Sequence, residues 1–180
     1  MVKEIFIKKI AIVLFVLNAN TGLAQDGKVF PVPSGNTNQL FYLQRTPNTN
    51  TIVYEVNYTK TGELDTVEPV HVFWIRYGEK GQHAELNYIQ RHFAYGIKTK
   101  SLAKDFYELR IVAYKKRILY MRKNGDKYYV YTTVNDKQII ISRIFLKING
   151  GTFWSPNVEY VEFKGIDFKT GLEVTEQIKV

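Results

Sequence analysis

Four side chains in this sequence sit where acid–base or metal chemistry would need them. They are the histidines His71, His83 and His92 and the carboxylate of Glu176. Glu176 shares its alternate positions in Leu172–Ile178 with Leu172, Val174 and Ile178, so an acid falls on an apolar strand face. A carboxylate there is either paired with a cation or holds its proton more tightly than usual. Paired, it is a salt bridge, with Arg76 or Arg143 as the expected partner. Unpaired, it would be a general acid or base lining a pocket, with His71 beside it. His71 alternates with Phe73, Ile75 and Tyr77, opposite Val72, Trp74 and Arg76. No histidine pair has the i, i+4 spacing that points two imidazoles to one helical face, and no HExxH motif occurs. No metal site and no cofactor are therefore expected.

Other chemistries are bounded by what is missing. The chain has no cysteine, which removes disulfides, thiolate nucleophiles, Cys-ligated zinc and iron–sulfur clusters. It has no GxSxG, no SxxK and no glycine-rich phosphate loop.

A second kind of chemistry is recognition. The dipeptide Asn124-Gly125 is the strongest hairpin signal in the chain. Taken as a two-residue loop, it pairs Lys123 with Asp126, Met121 with Tyr128 and Tyr120 with Tyr129. Leu119, Met121, Tyr128 and Val130 then share a core face. Ile118, Tyr120, Arg122, Lys127, Tyr129 and Tyr131 share the other, an aromatic stripe with basic ends. Such a stripe is either an ordinary outer sheet face or a surface that stacks rings while Lys and Arg hold anions.

The elements that position these residues read as strands. Of 180 residues, 14% are aromatic, and flat rings suit pleated surfaces. Runs rich in Val, Ile, Tyr, Phe and Thr recur at short spacing: 39–45, 51–58, 70–77, 106–113, 117–123, 127–134, 138–148, 158–168 and 172–178. One stretch departs from this. Leu86, Ile89, Phe93 and Ile97 fall at helical spacing, with Gly96 placed as a C-terminal cap, which predicts a three-turn helix over 84–97. Its polar side would carry Tyr88, Arg91, His92 and Tyr95. The pattern as a whole predicts a mainly β protein: a single antiparallel β-barrel or β-sandwich of about nine strands with one short α-helix. The helix would cover one face or one open end of the sheet.

Met1–Ala24 has the make-up of a secretory signal peptide. Lys3, Lys8 and Lys9 precede the apolar run Ile10–Leu17, and Gly22 and Ala24 supply small residues before Gln25. Residues 25–38, rich in Pro, Gly, Ser and Asn, read as an extended lead-in to a single β domain over 39–180. An exported protein, periplasmic or extracellular, is expected, with no membrane-spanning segment after cleavage. The chain is basic, +8 overall. Outside the cytoplasm that favours anionic envelope surfaces and small anionic or apolar ligands as partners, not nucleic acid.

Three segments carry a resemblance: Asn50–Asn57, Pro69–Ile75, and Leu86–Arg91 with Ala94-Tyr95-Gly96. They resemble a family of small exported bacterial proteins, of the Bacteroidota type, known as a domain of unknown function. The resemblance implies export and a single domain. It brings no activity and no catalytic residues.

These observations lead to one expected function and two alternatives. The first is a non-enzymatic exported β domain that binds a small apolar or amphipathic ligand or an envelope component. Trp74, Arg76, Tyr88, Arg91, Tyr95, Tyr120 and Tyr129 are its expected ligand-facing side chains. The second is a hydrolase or isomerase using Glu176 and His71. The third is an envelope structural protein that contacts anionic surfaces.

Overall fold

The apolar runs become strands of one sheet: burial alternates along those at 106–111, 156–167 and 173–179, while those at 39–45, 51–56 and 70–76 are buried on both faces. The computed structural model describes residues 29–35 and 37–180; the expected signal segment lies outside the described residues. The strands are β1 (Gln39–Arg45), β2 (Thr51–Val56), β3 (Val70–Arg76), β4 (Gln82–Glu85), β5 (Ile97–Ala103), β6 (Phe106–Ile111), β7 (Leu119–Asn124), β8 (Lys127–Val134), β9 (Lys137–Gly151), β10 (Pro156–Asp167) and β11 (Glu173–Lys179).

The long strand β9 organises the sheet. At 15 residues it spans about 50 Å. Along one edge it pairs with β10, from Ile139 to Gly151. Its other edge is shared: β8 pairs with its first residues, Lys137–Ile140, and β1 with Arg143–Leu146. Two limbs therefore leave the same edge, β1-β2-β3-β4 and β8-β7-β6-β5, while β11 flanks β10.

The chain is mainly β, but two parts of the expected architecture are corrected. First, β1 and β9 are parallel, so the sheet is mixed rather than antiparallel. Second, the strand path ends in β4 and β5, which do not pair. The sheet curls into a half-barrel and does not close. The second follows from the length of β9. A strand long enough to seat two neighbours on one edge splits the sheet into limbs, and their far ends have no partner to meet.

The expected helix over 84–97 is also corrected. Its start is strand β4, where Phe73 pairs with Glu85, and Ile97 opens β5 opposite Ile111. Between them lies one π-helical turn, Gln90–Ala94. Strand pairing at both ends overrides a weak helical period. The supposed apolar stripe is not a core face either, since Ile89 and Phe93 are exposed. The turn is held by a reciprocal cap: the Gln90 N–H donates to Asn87 Oδ1 (2.9 Å), and the Asn87 N–H to Gln90 Oε1 (3.1 Å). Gly96 serves a close approach rather than a left-handed cap. A Cβ there would lie 1.8 Å from the Arg91 carbonyl oxygen.

The β7–β8 hairpin keeps its predicted faces but not its loop. Asn124 pairs with Lys127 and Met121 with Val130, so the loop is Gly125-Asp126. Gly125 has φ +62° while neither neighbour is left-handed, which fits a type II′ turn with Gly first. The register moves by two residues, and a shift of two leaves each side chain on its face. Leu119, Met121, Tyr128 and Val130 are accordingly buried.

The main core lies inside the curl, between the limbs, with Phe41, Tyr54, Leu109, Met121, Ile144 and Phe163 among its fully buried members. Each such side chain contributes about 1.5–3 kcal/mol by leaving water. A smaller cluster, Tyr42, Val53, Phe73 and Ile75, occupies the opposite face of β1–β3. Residues 29–35 have no regular structure. Phe30 packs edge-on against Phe145, and the Pro31 carbonyl accepts from Gln44 Nε2 at 2.7 Å.

Candidate functional site

Where the limbs diverge from β9, the core is not filled. A cavity of about 180 Å³ remains between β1, β6, β7, β9 and β10. Leu43, Ile111, Leu119, Ile144, Val161 and Phe163 line it, with Ala94 and Tyr95 from the π-helical turn. Inner-face positions of several strands converge there because each strand alternates and the curl turns those faces toward one another.

The cavity opens into a wider cleft that shares Ala94, Tyr95, Ala113, Leu146 and Pro156 with it. Three exposed aromatics stand around this mouth. Trp154 packs edge-on against both Phe153 (5.0 Å) and Phe93 (5.8 Å). Phe153 and Trp154 come from the β9–β10 turn, and Phe93 from the π-helical turn.

Two arginines give the cavity its polarity. Arg45, at the end of β1, reaches the mouth. Its guanidinium sits 5.8 Å from the Tyr95 ring centre, and its buried Nε makes no hydrogen bond. No carboxylate pairs with Arg45 among the described residues. Burial pushes the Tyr95 hydroxyl up from its ordinary value, opposed by the charge and hydrogen bond of Arg45. Arg117 lines the inner cavity and is compensated. It faces Glu176 Oε2 at 3.5 Å, donates to the Thr133 carbonyl, and lies 5.0 Å over the Phe163 ring.

Glu176 is thus half-buried on the inner face of β11, as its strand position indicated, but its cation is Arg117. Arg76 pairs instead with Glu79 (3.2 Å) and Arg143 with Glu162 (3.4 Å). His71 lies elsewhere, on the outer face of β3. Its two ring nitrogens contact Glu55 (3.0 Å) and Glu85 (2.9 Å), and its ring stacks on Phe73. Among the described residues, the ion pairs of Glu176 and of His71 are made with different partners. Among the described residues no cluster of three or more His, Asp or Glu side chains is arranged to hold a metal ion.

The other expected ligand-facing residues divide into three groups. Tyr95 lines the cavity, and Trp74 packs edge-on behind it at 5.0 Å, with its indole N–H donating to Gln90 Oε1. Tyr88 and Arg91 point away from the cavity lining: Tyr88 stacks on His92, and Arg91 pairs with Glu85. Tyr120 and Tyr129 lie on the outer face of β7–β8, opposite Tyr131 and Arg122.

Arg45 and Arg117 escaped the sequence reading, though a signal existed. Arg45 follows Phe41 and Leu43, and Arg117 precedes Leu119 and Met121, all on inner positions. The alternation test that singled out Glu176 finds both. That one lines the cavity and the other its adjoining cleft has no such signal.

The comparisons add a family and nothing finer. The family model described as a domain of unknown function (DUF4833) matches residues 41–177. No curated protein and no solved structure matches the chain.

Proposed function

Because the chain belongs to the DUF4833 family, whose description assigns no activity, we propose a role from the cavity itself: binding a small amphipathic ligand with an apolar body and an anionic head. One observation carries this reading. An apolar cavity of about 180 Å³ opens beside Arg45, a part-buried cation with an unsatisfied Nε and no carboxylate partner among the described residues. A part-buried guanidinium gains most from a carboxylate or phosphate that meets its planar N–H groups. The apolar body would then lie against Leu43, Ile144 and Phe163, and the mouth aromatics would cover it. Release from water of the apolar part supplies affinity, and Arg45 selects the anion.

The role is non-enzymatic. An enzyme built on Glu176 and His71 has less support, since Arg117 engages one and Glu55 with Glu85 the other. An exported setting, suggested by Met1–Ala24, belongs to the same proposal.

The test is mass spectrometry of whatever a denaturant releases from the full chain, together with titration of anilinonaphthalene sulfonate and its displacement by decanoate. Stoichiometric release or one-to-one displacement is expected. Arg45→Gln should weaken decanoate about tenfold, the loss of one charge-assisted contact. Absence of both release and displacement sinks the reading.

A further inference from the structure

We propose that the outer face of β6–β8 is a second, separate binding site, for an acidic oligosaccharide. A depression of about 460 Å³ lies on this face. Its aromatic walls are Phe106, Tyr120, Tyr131 and Phe168, and its cation is Arg122; Lys123 borders it, but its ammonium lies 5.9 Å from the Tyr128 ring on the other face. Strand register assembles it. Tyr120 pairs with Tyr131 and Phe106 with Arg122, so alternate residues of three strands converge on one face.

The rings are held by one another. Phe106 and Tyr120 lie 5.9 Å apart with planes tilted by 32°, and Phe168 meets Tyr131 edge-on at 5.7 Å. Arg122 sits 6.0 Å over the Phe106 ring. No carboxylate is among the lining residues. The nearest acid in the register, Glu108 opposite Tyr120, is engaged by Arg110 Nε at 2.7 Å. Lys98 and Lys100, exposed on β5, continue the basic surface on the same face. Glu108 is the acid on this face, and among the described residues no carboxylate pairs with Arg122, whose charge an anionic ligand would balance.

Charge and rings alone would also suit a nucleic acid or a membrane. Two features favour a sugar. Asn124 and Gln138 line the depression, and an amide both donates and accepts, as a sugar hydroxyl does. Tyr131 is buried and Tyr120 and Phe106 half-buried, with only Phe168 exposed at the rim, so most of the ring surface is recessed and better matched to a sugar ring than to a flat bilayer. A sugar ring fits: its C–H face lies on the aromatic rings, its hydroxyls meet the amides and tyrosines, and its carboxylate meets Arg122.

Calorimetric titration of the full chain with trigalacturonate tests this, with maltotriose, oligothymidylate and mixed zwitterionic–anionic vesicles as comparison probes. Trigalacturonate should bind, more weakly as salt rises, and maltotriose should bind at least tenfold less tightly. Arg122→Gln, at an exposed position, should weaken trigalacturonate about tenfold with unfolding unchanged, and Tyr120→Ala should weaken it too. Arg45→Gln should leave it unaffected, which separates this site from the cavity. The proposal is overturned by absent binding, by an unchanged affinity in Arg122→Gln, or by oligothymidylate or vesicles binding more tightly than the uronate.

Discussion

The Tyr54 hydroxyl donates to the backbone carbonyl of Tyr95 at 2.8 Å, and that contact ties strand β2 to the turn that walls the cavity. Tyr54 is fully buried and stacks on Phe41, with ring centres 4.4 Å apart. The two limbs of the half-barrel do not pair at their ends, so contacts of this kind hold them together. Tyr54→Phe removes the donor and leaves the carbonyl without it. A loss of about 1–2 kcal/mol is expected, seen as a lower urea midpoint at constant slope. An unchanged midpoint would mean that the bond adds nothing to stability.

Alkaline pH should act on the same place and on the smaller cluster across the sheet. Burial raises the hydroxyls of Tyr54 and Tyr42 above the ordinary 10.0, and Tyr95 likewise despite Arg45. The folded state keeps these protons longer than the unfolded chain does. Stability from this source is complete below pH 10 and is lost as pH rises beyond it. Tyrosinate absorbance should therefore rise in two stages, exposed tyrosines first and the buried ones together with loss of near-ultraviolet dichroism. Titration of every tyrosine before that loss would contradict the assignment.

At the inner end of the cavity, Arg117 and Glu176 are about one-fifth exposed, with side-chain values of 23% and 19%. Removing one partner strands the other in a partly apolar setting. Glu176→Gln should cost about 1–3 kcal/mol, below the range for a fully buried pair because solvent still screens it. Replacing both, as Arg117→Met with Glu176→Leu, should recover most of the loss. A double-mutant cycle by chemical unfolding measures this, and additive losses would deny the coupling.

Gly96→Ala tests the π-helical turn. The new Cβ meets the Arg91 carbonyl oxygen at 1.8 Å, so the turn has to move. A cost of about 3 kcal/mol or more is expected, with weakened probe binding at the mouth. Gly78→Ala is the control, since its Cβ meets nothing nearer than Asn50 Oδ1 at 3.8 Å. Equal effects from the two substitutions would refute the close-approach role.

Acid should loosen the β10–β11 turn first. The Asp167 carboxylate accepts the N–H groups of Thr170 (2.9 Å) and Lys169 (2.8 Å), which hold it below the usual 3.8. Its contribution is present above pH 3.8 and disappears as pH falls through the lower folded value. Amide exchange at Lys169 and Thr170 should quicken in that window and in Asp167→Ala at neutral pH. Unchanged exchange in the variant would rule the cap out.

Much of the fold was legible because its signals are local. Runs rich in Val, Ile, Tyr, Phe and Thr marked strands such as Gln39–Arg45 to the residue, and the Gly125 turn kept Met121 and Val130 inside even though the loop shifted by one position. The stretch over 84–97 misled because four apolar residues at helical spacing are a weak signal beside strand pairing at both ends. Candidate residues were found where a polar side chain broke an apolar pattern, as at Glu176. Its partner was missed because nothing near it in sequence points to Arg117.

By itself the sequence determined the class: a mainly β chain without cysteine, with its inner and outer faces written in alternate residues. Tertiary structure decided how those faces meet. The Thr46 hydroxyl donates to the Ile148 carbonyl at 2.7 Å across 102 positions of chain, and β1 runs parallel to β9 beside it. Such pairings are chosen by the summed packing of whole strands, not by any local motif. That choice left the half-barrel open, brought Arg117 to an apolar cavity and Arg45 to the cleft at its mouth, and set His71 apart from Glu176.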